Sequence, residues 1–131
     1  MPTATGTFEV RIVPLDPPDE AGDGNQLGRM SIDKQIHGDL EATTRGQMLA
    51  ARTCIADSAG YVAIERVTGS LHGRRGSFVL QHDGRMQRGV QSLGITVVPD
   101  SGTGELAGLA GEFHLRIEDG RHSYTLEYTL P

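Results

Sequence analysis

The sequence has 131 residues, a length that suits one domain with a single core. A net charge of −5 argues against a nucleic-acid-binding protein, because such a protein needs a basic face. The single cysteine, Cys54, excludes an intramolecular disulfide, and no apolar run approaches the roughly 20 residues of a membrane span. The start MPTATGTFEV shows no secretory signal, so we expect a cytoplasmic protein that contacts no membrane.

The N-terminal part alternates between apolar and polar residues, which predicts strands with one buried face. Strands are predicted at residues 4–13, 29–37 and 40–52, although the composition near QMLAAR would also suit a helix. Residues 14–28 are rich in Pro, Gly and acids and predict a long surface loop. That loop is either a solvated connection or a flap over a barrel mouth.

The central part, from Gly60 to Val98, predicts three further strands at residues 61–71, 76–87 and 90–98. A turn over residues 72–75 would place Glu65 opposite His82 across the first hairpin. The turn at Arg88 and Gly89 would place His82 opposite Ile95. Both hairpins turn the same, more apolar, face toward the core.

The C-terminal part adds two strands, at residues 112–118 and 121–130, joined by a turn at Asp119 and Gly120. Eight strands in simple succession predict an all-β fold, a single eight-stranded antiparallel meander β-barrel over residues 1–131. Closure into a barrel removes exposed strand edges, and eight strands leave room for side chains or one small ligand. The Gly-rich stretch 99–111 lacks the residues of a phosphate loop and is predicted to pack a leucine or two under the barrel end.

Three stretches of the chain resemble a known family: GYVAIERVTGSLHGRRGSFVLQHDG, VVPDSGTGELAGLAGEF and HSYTLEYTL. They are similar to a bacterial family of small uncharacterised proteins related to the allene oxide cyclase barrel, and the likeness covers nearly the whole chain. The resemblance implies an allene oxide cyclase-like barrel that is often oligomeric. It brings no established activity and no catalytic residues. The wider superfamily includes cyclases that fold flexible substrates in an apolar lumen.

An acid and an imidazole, Glu65 and His82, are the candidate catalytic residues on the inner face. The carboxylate could orient the ring of a general acid/base pair, or the two could form a buried structural pair that fixes register. Lys34 falls on the same face. It is either a third member that pairs with Glu65, or it turns outward at a bulge or reaches water at a barrel end.

Other inward residues are candidates for contact with a ligand, because phenols and apolar side chains suit an amphipathic molecule. Ordinary core packing is the alternative for the tyrosines. With Lys34, the predicted ligand-binding residues are Met48, Tyr61, Leu80, Ile95, Phe113, Tyr124 and Tyr128. The five histidines lack the spacing of a zinc site, so no metal and no cofactor are predicted.

Three functions remain open from the sequence. The leading hypothesis is a barrel that binds a small apolar or amphipathic molecule in its lumen. The first alternative is a cyclase or isomerase that uses Glu65 and His82 as an acid/base pair, and the second is a scaffold or interaction protein with a filled core. We expect a homodimer or higher homo-oligomer, with Val62, Ile64 and Val79 facing outward.

Overall fold

Apolar–polar alternation along the chain produces a closed barrel of eight antiparallel strands, which confirms the predicted fold class. The structure is a computed structural model and describes residues 2–131. Each strand pairs with the next in sequence, and the last returns to pair with the first. The strands are β1 Thr3–Pro14, β2 Gln26–Gly38, β3 Leu40–Arg52, β4 Ala59–Leu71, β5 Arg74–Gln87, β6 Val90–Val97, β7 Ala110–Glu118 and β8 Arg121–Thr129.

The turn between β4 and β5 is shorter than the sequence predicted. It contains only His72 and Gly73, whose φ angles are 47° and 81°, so the prediction of a turn over residues 72–75 was wrong. Two successive left-handed residues make the tight hairpin turn that matches strand twist. His72 reaches this conformation while its Nδ1 lies 2.5 Å from the hydroxyl of Tyr128.

The shorter turn changes the register of this hairpin by two residues. Glu65 lies opposite Leu80 and not opposite His82, which faces Ala63. A shift of two residues leaves every side chain on its original face of the sheet. Glu65 and His82 therefore still point inward, as diagonal neighbours. The next hairpin has the predicted register, with His82 opposite Ile95.

One end of the barrel is filled with apolar side chains. This closed end carries the β2–β3 and β4–β5 turns. A short 3₁₀ turn at Gly104–Leu106 places Leu106 under it, and Leu109 follows, as predicted for this Gly-rich stretch. The core residues that are at most 1% exposed include Ile36, Leu40, Val67, Leu71, Phe78, Leu80, Leu106, Leu109 and Leu126.

At the opposite end, which we call the mouth, β6 and β7 separate. Thr96 and Glu112 are the one described residue pair that joins these strands, and both lie toward the closed end. Ile117 of β7 is 61% exposed, because β7 pairs with β6 only at Glu112 within residues 2–131. The barrel is therefore fully packed at one end and loosely closed at the other.

The connection from β1 to β2 begins and ends at the mouth. It covers residues 15–25, fewer than the predicted 14–28, because Gln26 and Leu27 already pair with β3. An exposed ion pair between Asp16 and Arg29, at 3.1 Å, ties the connection to β2. No helix among residues 2–131 is long and apolar enough to cross a bilayer.

Two of the three residues predicted to face outward are open to solvent. Val62 and Ile64 are about half exposed on β4. Val79 is half-buried, because the segment after β6 lies over it and the hydroxyl of Ser101 accepts its N–H at 3.0 Å. The expected oligomer stays a prediction.

Candidate functional site

Glu65 is the centre of a buried polar cluster in the middle of the barrel. Its side chain is 0% exposed and accepts three hydrogen bonds. His82 Nε2 and Lys34 Nζ both donate to Oε1, at 2.7 and 2.8 Å, and the Thr44 hydroxyl donates to Oε2 at 2.7 Å. The backbone N–H of Lys34 donates to the Thr44 hydroxyl at 2.9 Å, which closes the network between β2, β3, β4 and β5.

Lys34 is the only lysine in the chain, and it points into the barrel. Of the sequence alternatives, the structure places it beside Glu65 and not at a bulge or in water. Its ammonium group lies 5.3 and 5.7 Å from the ring centroids of Phe8 and Phe113. A carboxylate and two aromatic faces thus surround a cation whose side chain is 3% exposed.

The pKa of Glu65 reflects opposing effects of this environment. Burial on its own raises the pKa, because it disfavours the charged form. The hydrogen bond from His82, the charge and hydrogen bond of Lys34, and the hydrogen bond from Thr44 outweigh burial and lower the pKa from 4.5 to about 2. Glu65 is therefore a carboxylate at neutral pH and acts only as an acceptor.

His82 connects the buried cluster to Tyr61. Its side chain is 2% exposed, and its second nitrogen, Nδ1, lies 3.3 Å from the Tyr61 hydroxyl. The Tyr61 ring crosses β5 at Gly84, where an added Cβ would lie 2.3 Å from the ring. Glycine at residue 84 therefore lets the ring lie flat against the strand and reach His82.

Tyr61 also lines a cavity of about 400 Å³ in the mouth of the barrel. The inward side chains around it are almost all apolar, and the polar ones stand at the rim. The wall consists of Ile12, Met30, Met48, Ala50, Tyr61, Met86 and Leu93, and the rim includes Arg52, Arg85, Gln91 and Ser92. No residue of the connection 15–25 lines it, so in this structure that segment is not a flap over the cavity.

The predicted site residues fall into separate groups. Lys34, Glu65 and His82 form the cluster, while Met48 and Tyr61 line the cavity. Leu80, Ile95 and Phe113 are buried in the core. Tyr124 and Tyr128 contact the closed-end turns: the Tyr124 hydroxyl donates to His37 O (2.9 Å) and accepts from Leu40 N (3.1 Å), and Tyr128 contacts His72.

We expect the change Tyr124→Phe to lower the free energy of unfolding by about 1–2 kcal/mol, because it leaves the buried N–H of Leu40 without its partner. Tyr128→Phe is the matched control and is expected to cost less, since its partner His72 is 40% exposed and keeps access to water. Urea unfolding of both variants measures the difference. Equal losses in the two variants would contradict the expectation that the buried Tyr124 hydroxyl contributes more stability than the Tyr128 hydroxyl.

Sequence reasoning did not single out Thr44 or Gly46 as site residues. The alternation in β3 placed both on the inner face, and that was the available signal. A Cβ at Gly46 would lie 2.7 Å from the Cα and Cβ of Glu65, so glycine lets β3 approach the carboxylate-bearing strand. Among residues 2–131, no three His, Cys, Asp or Glu side chains group in a way that could hold a metal ion.

Comparisons with known proteins agree with this architecture. Residues 4–128 match the family described as "Protein of unknown function (DUF3224)". A solved structure of a protein of unknown function from that family, from Shewanella oneidensis MR-1, is similar over 100% of this chain and 98% of its own, with 46% identity and a TM-score of 0.93. A search of curated proteins found no match.

Proposed function

The chain belongs to the DUF3224 family, whose function is unknown, and we propose from its own geometry that it binds a small apolar or amphipathic molecule in the barrel mouth. The observation that carries the proposal is the cavity of about 400 Å³ with apolar walls. Pockets for small molecules typically measure about 300–1,000 Å³ and combine such walls with a few placed polar groups. Tyr61 is the polar group that fits this description.

The shape of the apolar walls supports a compact hydrophobic ligand. Three methionines, Met30, Met48 and Met86, contribute flexible, polarisable side chains that adapt to irregular shapes. The small residues Ala50, Ala59 and Gly84 leave the space between these methionines.

The closed eight-stranded barrel also supports the relationship to allene oxide cyclase barrels that the sequence resemblance implies. We keep that relationship as part of the proposal.

We expect the neutral dye N-phenyl-1-naphthylamine to bind with a roughly micromolar Kd and to gain fluorescence as it leaves water. Ala50→Phe, which puts a ring into the cavity, should weaken binding by about tenfold. Thr43→Phe is the control, because residue 43 is exposed on the outer face of the same strand. Fluorescence titration decides: no saturable binding by the native protein, or equal binding by Ala50→Phe, contradicts the proposal.

An enzyme of the cyclase or isomerase class is the second candidate, and one observation favours it. Glu65 and His82 are in direct contact, as such a mechanism requires, and the chain of hydrogen bonds continues to Tyr61 at the cavity. Neither Glu65 nor His82 lines the cavity, however, so neither would touch a substrate held there. Any proton would have to pass through Tyr61, and we therefore place binding ahead of catalysis.

A further inference from the structure

The proton positions in the buried cluster can be assigned one group at a time, starting from Glu65. An ionised carboxylate donates no hydrogen bond, so each atom in contact with it must carry a proton. His82 Nε2 lies 2.7 Å from Glu65 Oε1 and is therefore the protonated nitrogen of the ring. The tautomer of His82 is fixed by the carboxylate that it meets.

The charge balance decides whether the second nitrogen also carries a proton. Lys34 already supplies the single positive charge that neutralises Glu65, at the same oxygen that His82 contacts. An imidazolium would add a second cation to a site in which the His82 side chain is 2% exposed, and Glu65 is the one carboxylate in contact with it in the described part of the chain. Such an uncompensated buried charge is strongly unfavourable. Nδ1 thus keeps a lone pair.

Tyr61 therefore has a fixed role at the cavity wall. Burial raises the pKa of its phenol, and the negative charges of Glu65 and Asp83 raise it further, so the hydroxyl keeps its proton at neutral pH. With an acceptor 3.3 Å away at His82 Nδ1, that proton points into the cluster. Toward a molecule in the cavity, the phenol oxygen therefore offers lone pairs and no proton, so it can only accept a hydrogen bond.

We infer that the molecule bound in the mouth carries a hydrogen-bond donor, a hydroxyl or N–H on an apolar skeleton, which it donates to the oxygen of Tyr61. This inference rests on the proposed function, since it names the class of ligand for the same cavity. A ligand whose polar group is only an ether or carbonyl oxygen would place one hydrogen-bond acceptor against another, which is repulsive. To avoid this repulsion, the Tyr61–His82 hydrogen bond would have to break. Glu65 and His82 act here as positioning residues.

Three probes of one shape test the inference: 2-naphthol, 2-methoxynaphthalene and naphthalene. Tyr61→Phe keeps the ring against Gly84 and removes the hydroxyl. It should weaken 2-naphthol binding by about 2- to 10-fold, the effect of one hydrogen bond, and leave the other two probes unchanged. Titration calorimetry gives each Kd, and comparing the two proteins removes differences in probe hydrophobicity.

The outcomes separate the inference from the proposed function. If all three probes bind and Tyr61→Phe weakens them equally or not at all, the donor requirement is overturned while the binding cavity stands. If neither these probes nor N-phenyl-1-naphthylamine binds the native protein, the proposed function fails and this inference fails with it.

A ligand-free measurement checks the same assignment. The ¹⁵N chemical shifts of His82 at pH 7 should show a protonated Nε2 and an unprotonated Nδ1. An imidazolium, or the opposite tautomer, would overturn the inference, because Tyr61 would then be free to donate into the cavity. This readout also covers the case in which Tyr61→Phe fails to fold.

Discussion

Replacing Lys34 with methionine is expected to lower the free energy of unfolding by about 3–5 kcal/mol, the cost of leaving one partner of a buried ion pair uncompensated. Methionine matches the aliphatic part of the lysine side chain, so little packing is lost. Glu65, at 0% exposure, would keep hydrogen bonds from His82 and Thr44 but lose the one full positive charge that contacts it among residues 2–131. Urea unfolding, read from the midpoint at constant m, measures the loss.

Two further variants show whether burial is the cause. Arg29→Met removes the cation of the exposed pair with Asp16, whose side chains are 45% and 47% exposed, and is expected to cost far less stability than Lys34→Met, because water and salt screen an exposed pair. The double variant Lys34→Met, Glu65→Leu removes both buried charges and should recover much of the lost stability. Similar losses for Lys34→Met and Arg29→Met would contradict the argument.

Acid is expected to remove about 3 kcal/mol of stability through Glu65 alone. Its pKa is about 2 in the folded protein and 4.5 without the cluster, a difference that corresponds to about 3.5 kcal/mol in total, of which about 3 kcal/mol is lost by pH 2. Because the folded pKa is the lower one, the stabilisation is fully present above pH 4.5. It is lost progressively as the pH falls from about 4.5 to about 2.

Unfolding free energies of the native protein and Glu65→Gln, measured at intervals from pH 6 to pH 2, test this expectation. The gap between the two proteins should shrink by about 3 kcal/mol over the acid range. Glu118→Gln, which removes a carboxylate that is 70% exposed, is the control for the loss of one surface acid. A carboxyl ¹³C titration that showed Glu65 protonating near pH 4.5 in the folded protein would contradict the prediction without any variant.

The faces of the strands follow from local sequence, and the sequence therefore predicted that Glu65 and His82 share the interior. It placed Lys34 on the same face but left open whether its side chain turns outward or reaches water. The register at the β4–β5 turn could not be predicted from local sequence. His72 adopts a left-handed conformation in contact with Tyr128, a residue 56 positions away that no local pattern reveals. A pairing of Glu65 with Lys34, one of three alternatives for that lysine, likewise depends on a contact across 31 residues.

The location of the cavity also could not be predicted from the sequence. Tyr61, Tyr124 and Tyr128 all belong to inward-facing positions, and alternation treats them alike. Tyr61 lies at the mouth, where β6 and β7 separate and small residues leave space. Tyr124 and Tyr128 lie toward the filled end, where their hydroxyls bind turns. Which end stays open depends on the summed side-chain volumes of all eight strands.

Because the chain has eleven arginines and one lysine, its only side-chain amine is sealed inside the barrel. Reagents that acylate amines need access to the amine, and the Lys34 side chain, which is 3% exposed, does not offer it while the barrel is closed. The rate at which the peptide that contains Lys34 is acylated would therefore report how often the barrel opens. Mass spectrometry of that peptide would measure this rate, with no substitution needed to introduce a reporter residue.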